Sequence, residues 1–110
     1  MVTGMDQLLQ RFTALAHRNR LEIIRLLLQA NYCVQALAHR LEISQGAVSQ
    51  HLKILREAGL VRGEKRGYQT HYQVEREVVA EIAQALTAMI ADSPDKCHGC
   101  CERHQSSPAE

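Results

Sequence analysis

The feature that most restricts the fold is a short helix with a clear start and a clear end, followed directly by two β-prone segments. Ser44 is a strong N-cap residue and Gly59 stands where a left-handed C-terminal cap belongs, so a helix is predicted from residue 45 to about 58. Its buried face is predicted to consist of Val48, Leu52 and Leu55. A break at 42–44 separates this helix from another short amphipathic one. Two helices joined by a three-residue turn form a helix-turn-helix.

The segments on either side of a glycine-containing connection predict a β-hairpin after that helix pair. Residues 60–62 and 69–74 are its predicted strands. The connection contains Lys65 and Arg66 together with two glycines, so it is expected to be a flexible, cationic tip. A helix-turn-helix followed by a basic hairpin is a winged helix-turn-helix. The predicted fold class is therefore mostly α with a small β-hairpin wing.

Apolar periodicity predicts three further helices and one short β-prone segment. The first helix starts near Asp6, and the second, after Asn19, is so rich in Leu and Ile that we expect it to be the most buried. The β-prone segment covers residues 32–34, and the last helix covers 76–91. Pro94 ends the periodic part of the chain, because proline cannot continue a helical hydrogen-bond ladder.

Length and composition indicate one folded domain followed by a tail. The chain has 110 residues, which suits a single domain over 1–91, and residues 92–110 are expected to be a flexible, cysteine-rich tail. Neither a bilayer-spanning run nor an N-terminal signal pattern is present, so we expect a cytoplasmic protein with no membrane partner. Residues 1–73 contain ten Lys or Arg against five Asp or Glu, whereas 74–110 contain three against seven. A basic body suits a polyanionic partner.

The second helix of the pair is the candidate for the DNA major groove. Residues off its buried face are small or polar, and Gln can pair with adenine while Ser can contact bases or phosphates. The basic residues of the hairpin would reach phosphates or a minor groove. The predicted DNA-binding residues are Ser44, Gln45, Gly46, Ser49, Gln50, Lys53, Arg62, Lys65 and Arg66. Gly46 either lets the backbone approach DNA closely or is simply tolerated in a first turn.

Two stretches of the chain resemble the ArsR/SmtB family of transcriptional repressors. Residues 15–24 have the sequence LAHRNRLEII, and residues 44–61 have the sequence SQGAVSQHLKILREAGLV, which is similar to the recognition helix of that family and its exit. The resemblance extends from about Leu8 to Met89. It implies a homodimer, built on the first and last helices, that represses transcription from a palindromic operator in double-stranded DNA and is released by an inducer. By position, the residues that match the family's DNA contacts are Gln45, Gly46, Ser49 and Gln50.

His51 lies in the same helix, between Val48 and Leu52 of the buried face. One interpretation is that it contacts DNA. The other, of at least equal weight, is a packed, hydrogen-bonded residue.

Two metal-sensing sites of relatives are incomplete in this sequence. Many relatives bind metal through a Cys-Val-Cys segment that opens the third helix, but here Cys33 and Val34 are followed by Gln35. Cys33 alone makes a poor soft-metal site, and we expect it to be a small buried hydrophobe. Other relatives hold zinc or nickel between the last helices with Asp and His ligands, whereas residues 76–91 contain no His.

The remaining candidate for the inducer site is the cysteine-rich tail. Cys97, Cys100 and Cys101 provide three thiolates, which suit As(III) or Sb(III), while mixed sulfur and imidazole ligation suits Zn or Cd. Additional candidate ligands are His98, His104 and Cys33. No cofactor is expected to be required for DNA binding. The alternatives are a thiol-based redox or sulfide/persulfide sensor, and a tail whose cysteines have no function.

An enzyme is the competing class of function. No nucleophile, base and orienting group occur in a recognisable arrangement, and so small a fold offers little room for an enclosed pocket. We therefore predict that the protein is not an enzyme. A second competing class is a winged helix whose hairpin contacts proteins, and a steep loss of affinity with salt would instead identify a DNA reader.

Overall fold

The computed structural model describes residues 4–91, which fold into five helices and a three-stranded antiparallel sheet. The helices are α1 (Gly4–Leu15), α2 (Arg18–Gln29), α3 (Val34–Leu41), α4 (Gln45–Glu57) and α5 (Arg76–Ala91). The strands are β1 (Tyr32–Cys33), β2 (Val61–Arg66) and β3 (Gln69–Val74). The predicted winged helix-turn-helix is confirmed, with α3 and α4 as the helix pair. Within these residues, no helix combines the length and apolarity needed to cross a membrane.

One apolar core joins the helix pair to the rest of the fold. Its most completely buried side chains come from α2, α3, α4 and the exit of α4. They are Ile23, Leu37, Val48, Leu52, Leu55 and Leu60. The predicted buried face of α4 is confirmed. Burying a large aliphatic side chain stabilises a fold by roughly 1.5–3 kcal/mol, so these contacts hold α4 firmly and leave its opposite face exposed.

The second helix has the most buried residues of the helices within 4–91, as the sequence predicts, but it also has an exposed apolar face. Four of its residues face the core, namely Ile23, Ile24, Leu26 and Leu27. Leu21, however, is 56% exposed, and Leu28 lies one heptad further along the helix, also exposed. Together with Leu15 and Val79 they line an apolar groove of about 320 Å³. The excess of leucine therefore marks a second apolar face on α2.

The two ends of α4 are capped by the residues that the sequence predicts, Ser44 and Gly59. Ser44 is the N-cap of α4, and its Oγ accepts a hydrogen bond from the backbone N–H of Ala47 at 3.0 Å. Gly59, which follows α4, has a φ of 80°, and this left-handed backbone favours glycine. Glu42 ends α3 with a φ of 59°. The short turn between the helices is thus fixed at both of its ends.

The hairpin of β2 and β3 ends in a two-residue turn, Gly67 and Tyr68, and β1 pairs with the other edge of β3. Gly67 has a φ of 64°, as the first position of a type II′ turn requires. The prediction of a flexible cationic tip around Lys65 and Arg66 was wrong in its boundaries, because β2 extends to Arg66. Both cations lie on the strand beside the turn, where the ladder holds them in place.

Gly63, which the sequence placed in the turn, lies within strand β2. It lies opposite Tyr72 in the ladder, and a Cβ at this position would be 2.9 Å from Thr70 Cγ2 and 3.1 Å from Tyr72 Cε2. The side chains of Thr70 and Tyr72 therefore occupy the space that a side chain at residue 63 would need. Gly63 serves side-chain packing within the strand, whereas the sequence placed it in the turn.

The first and last helices are joined by an ion pair and leave large apolar side chains exposed. Arg11 Nη1 donates a hydrogen bond to Glu81 Oε1 at 3.1 Å, which links α1 to α5. Ile82 is the buried residue of α5. The exposed apolar residues of the two helices are Met5, Leu9, Leu86, Met89 and Ile90. This face has no covering layer within residues 4–91.

The same substitution at two glycines should change the stability of the protein in opposite directions. Gly63→Ala should lower the free energy of unfolding by about 1–3 kcal/mol, because its Cβ would overpack the side chains of Thr70 and Tyr72. Gly46→Ala should raise it by about 0.5–1 kcal/mol, because alanine favours the helix and the nearest atom to its Cβ is 3.9 Å away. Urea denaturation measures both. A Gly63→Ala variant as stable as the parent would contradict the packing role of this glycine.

Candidate nucleic-acid interface

The exposed face of α4 presents the predicted base-contacting residues. All five are exposed, and their spacing places them on one side of the helix: Gln45, Gly46, Ser49, Gln50 and Lys53. Within the part of the chain that the structure describes, the side chains of Gln45, Ser49 and Gln50 make no hydrogen bonds to other residues. Their donors and acceptors are therefore available to a ligand. Ser44 differs, because its Oγ already accepts the capping bond from Ala47; one acceptor lone pair and the hydroxyl proton are left for a ligand.

The cationic end of the wing lies beside its turn. Arg66 forms an ion pair with Glu64 at 3.3 Å, in which both side chains are half exposed. Lys65 forms no ion pair with any residue between 4 and 91. Since exposed ion pairs contribute little, the pairing of Arg66 is easily exchanged for a phosphate.

Arg62 is engaged at the base of the wing. Its Nη1 lies 2.7 Å from Glu75 Oε1, and its Nη2 lies 2.7 Å from Gln73 Oε1. It stands four residues before the end of β2, which is roughly 13 Å of extended chain. The structure thus separates Arg62 from the other two cations of the wing, and its contact with DNA stays a prediction.

Tyr68 at the tip was not singled out by the sequence. The turn leaves its side chain completely exposed, although Tyr is a large and partly apolar residue. Its neighbours in the turn region, Arg66 and Gln69, are the last ladder pair of the hairpin. The register of the strands places Tyr68 in the two-residue turn at the end of the hairpin.

His51 lies on the inner side of α4, and the packed, hydrogen-bonded interpretation is confirmed. Its Nδ1 lies 3.4 Å from Nη1 of Arg20, and its ring centroid lies 4.6 Å from that of His17. His17 is the N-cap of α2, where its Nδ1 accepts a hydrogen bond from the backbone N–H of Asn19 at 3.1 Å. Burial, followed by the charges of His17 and Arg20, lowers the pKa of His51 below its ordinary value of 6.5.

Comparison with known proteins identifies the family. The sequence profile of the bacterial regulatory proteins of the arsR family matches residues 17–62. The arsenical resistance operon repressor of Escherichia coli K12 is 37% identical over 79 residues, which are 71% of this chain and 68% of that protein. The chain belongs to the ArsR family.

Solved structures agree with this assignment. An ArsR-like transcriptional regulator from Rhodococcus sp. RHA1 superposes on this ArsR-family protein with a TM-score of 0.72 and 32% identity, covering 77% of this chain and 80% of that one. The winged helix-turn-helix domain of Mb0332 from Mycobacterium bovis has a TM-score of 0.66 and 26% identity, covering 86% and 89% of the two chains. That domain is described as a homodimer.

The structure places one of the predicted inducer-site residues of this ArsR-family protein. Cys33 is a free thiol, half-buried rather than fully buried as predicted, and lies opposite His71 in the pairing of β1 with β3. Among residues 4–91, no three His, Cys, Asp or Glu side chains come together as a metal site. Cys97, Cys100, Cys101, His98 and His104 lie outside the described residues.

The lowered pKa of His51 predicts a loss of stability in acid. The unfolded chain protonates this imidazole at about 6.5 and the folded chain only at lower pH, so stability is complete above 6.5 and falls as pH drops below it. His51→Asn should flatten that part of the profile. Urea denaturation between pH 5 and 7.5 measures it, with the exposed His39→Asn as control. Equal slopes for the parent and His51→Asn would contradict the assignment.

Proposed function

We propose that this protein is a homodimeric transcriptional repressor that binds a palindromic operator in the cytoplasm and is released by a thiophilic inducer. The observation that carries the proposal is the exposed polar face of α4, held from behind by the buried side chains of Val48, Leu52 and Leu55. A helix of this kind, followed directly by a basic hairpin, is how winged-helix proteins read the major groove. The similarity to a repressor of an arsenical resistance operon supports both the regulation and the class of inducer.

The two parts of the interface should divide the work of recognition. Gln50 and Ser49 have unengaged polar groups near the N-terminal end of α4, where base edges are read. Lys65 and Arg66 carry positive charge on a strand. Such charges suit the phosphates of operator and unrelated DNA alike. Specificity is therefore assigned to α4, and general affinity to the wing.

Alanine substitutions should separate these two contributions. Ser49→Ala and Gln50→Ala should each weaken operator binding by about 1–3 kcal/mol and leave binding to unrelated DNA nearly unchanged. Lys65→Ala with Arg66→Ala should weaken binding to every DNA and reduce the salt slope by about one per lost phosphate contact. Gel shifts over a range of salt concentrations measure both effects.

The control for these variants is Arg25→Ala, an exposed cation of α2 that is paired with Glu22. It should change neither specificity nor slope. Equal losses on operator and unrelated DNA would remove Ser49 and Gln50 from base reading, and an unchanged slope would remove the wing from phosphate neutralisation.

The exposed apolar face of α1 and α5 supports the homodimer. It includes Ile90, which is 82% exposed, together with Met89, Leu86 and Leu9. Side chains of this size are stabilised when a partner covers them. A second copy is the occupant that the resemblance implies, and the homodimeric Mb0332 domain supports it.

Charge on this face should therefore separate the subunits. Met89→Glu with Ile90→Glu should convert a dimer at micromolar concentration into a monomer, because the interface would bury unpaired carboxylates. Sedimentation velocity measures the change, and Tyr68→Glu on the exposed wing is the control that should stay dimeric. A parent protein that sediments as a monomer would contradict the dimer and, with it, recognition of a palindrome.

The cysteines of the tail remain the proposed inducer site. Within residues 4–91 Cys33 has no set of partner ligands, whereas Cys97, Cys100 and Cys101 are three thiols in five positions. As(III) prefers three thiolates, and Zn or Cd accepts thiolate with imidazole. The tail follows α5 in the sequence, so we expect an ion bound there to shift α5 and with it the spacing of the two recognition helices.

Replacing two thiols should abolish release. Cys100→Ser with Cys101→Ser should bind operator like the parent but stay bound when arsenite is added, because one thiol cannot complete the site. Gel shifts with arsenite, zinc, cadmium and an oxidant measure the response, with Cys33→Ser as the matched control. Release of the double variant by the same agents as the parent would exclude the tail, and release of the parent by oxidant alone would favour a thiol-based redox sensor.

A further inference from the structure

We propose that Arg20 couples the dimer helix α1 to the recognition helix α4 through His51, so that both residues position α4 for operator binding. The proposal rests on the proposed function as a dimeric operator-binding protein. It goes beyond that function, because it assigns the mechanical link between the subunit interface and the face of α4 that contacts DNA.

One guanidinium contacts both helices. Arg20 Nε donates a hydrogen bond of 2.7 Å to the carbonyl oxygen of Ala14, in the last turn of α1. Its Nη1 lies 3.4 Å from Nδ1 of His51 on α4. Because the guanidinium is planar and its donors have fixed directions, a displacement of one acceptor changes the geometry at the other.

The bond to α1 holds a group that the helix itself leaves unsatisfied. The last four carbonyls of a helix lack intrahelical partners, and Ala14 is the buried residue of α1. The donor from Arg20 therefore ties the end of α1 to the core. In the proposed dimer, α1 lies in the subunit interface and its position depends on the partner subunit. A shift of α1 would move the hydrogen-bonded guanidinium of Arg20.

The contact between Arg20 and His51 lies next to the proposed base-contacting residues of α4. His51 follows Gln50 and precedes the fully buried Leu52. It is thus the residue at which the buried and the exposed faces of α4 meet. A change in the position of the imidazole is carried by the helix backbone to Gln50, whose side chain is free to contact bases.

The tautomer of His51 follows from the hydrogen-bond donor that faces its Nδ1. Arginine only donates hydrogen bonds, so Nδ1 of His51 must accept, and its ring is neutral with the proton on Nε2. His17 also uses Nδ1 as an acceptor, toward Asn19, and its ring packs against that of His51. The side chains of His17 and Arg20 are the titratable and charged groups that act on His51.

Two amide variants of His51 test the hydrogen bond without removing polarity. Asn places its amide oxygen as many bonds from Cα as Nδ1, whereas Gln reaches toward Nε2. His51→Asn should therefore keep the operator affinity of the parent within about twofold, and His51→Gln should lose about tenfold, a loss within the usual range of coupling between sites. Affinity for unrelated DNA should stay the same in both.

A second pair of variants tests the arginine. Arg20→Lys keeps the charge but cannot contact both acceptors, and it should also lose about tenfold in operator affinity. Arg25→Lys, the same change at an exposed position of α2, should lose nothing. Combining Arg20→Lys with His51→Gln should cost no more than either change alone, because both break one link.

The measured quantity is the ratio of operator affinity to affinity for unrelated DNA, taken on protein shown by thermal unfolding to be folded. If the two residues have a purely structural role, the variants should have a lower melting temperature and an unchanged affinity ratio. That result would overturn the proposal. Additive losses in the double variant would also overturn it.

If Arg20→Lys fails to fold, the comparison of Asn with Gln at position 51 decides. A parent that does not discriminate its operator contradicts the proposed function itself, and equal ratios in a discriminating parent and its variants contradict only the coupling.

Discussion

The burial of one face of α4 is the interaction on which the rest of the structure depends. Val48, Leu52 and Leu55 pack into the core with almost no exposure, and their helical spacing leaves the opposite face in solvent. The same contacts that stabilise the domain therefore decide which side chains can reach DNA. Ser44 and Gly59 limit the helix at its two ends, so the exposed face is short, straight and fixed relative to the wing.

The polar residues of the molecule divide into those with internal partners and those without. Arg11, Arg20 and Arg62 donate to groups of the protein itself and hold elements together. Gln50, Ser49 and Lys65 have no such partners within residues 4–91. Because a polar group that is already paired gains less from a ligand, this division favours the unpaired residues for recognition. Arg66 is an exception, since its ion pair with Glu64 is exposed and contributes little.

The distribution of charge and apolar surface fits the two proposed partners, DNA and a second copy of the chain. The cations of α4 and the wing face away from the core, where a polyanion can approach. The apolar residues of α1 and α5 are left uncovered within residues 4–91, as expected of a subunit in a larger assembly. Arg20, a residue of α2, lies between these surfaces. It contacts the last turn of α1 and His51 of α4. In the proposed dimer, the fold thus connects the association surface to the DNA-reading surface through a few partly buried polar contacts.

The sequence by itself determined the order and type of the elements, the buried face of α4 and the start of α5. Those features depend on local signals, namely apolar periodicity, capping residues and glycine, which act over one or two helical turns. Tertiary structure decided what distant residues do to one another. It turned Gly63 from a turn residue into a packing position beneath Tyr72, engaged Arg62 at the base of the wing and exposed Tyr68 at the tip. It also placed His51 against Arg20 and His17. Such contacts join residues that are far apart in the chain, and only the packing of the helices and the register of the strands brings them together.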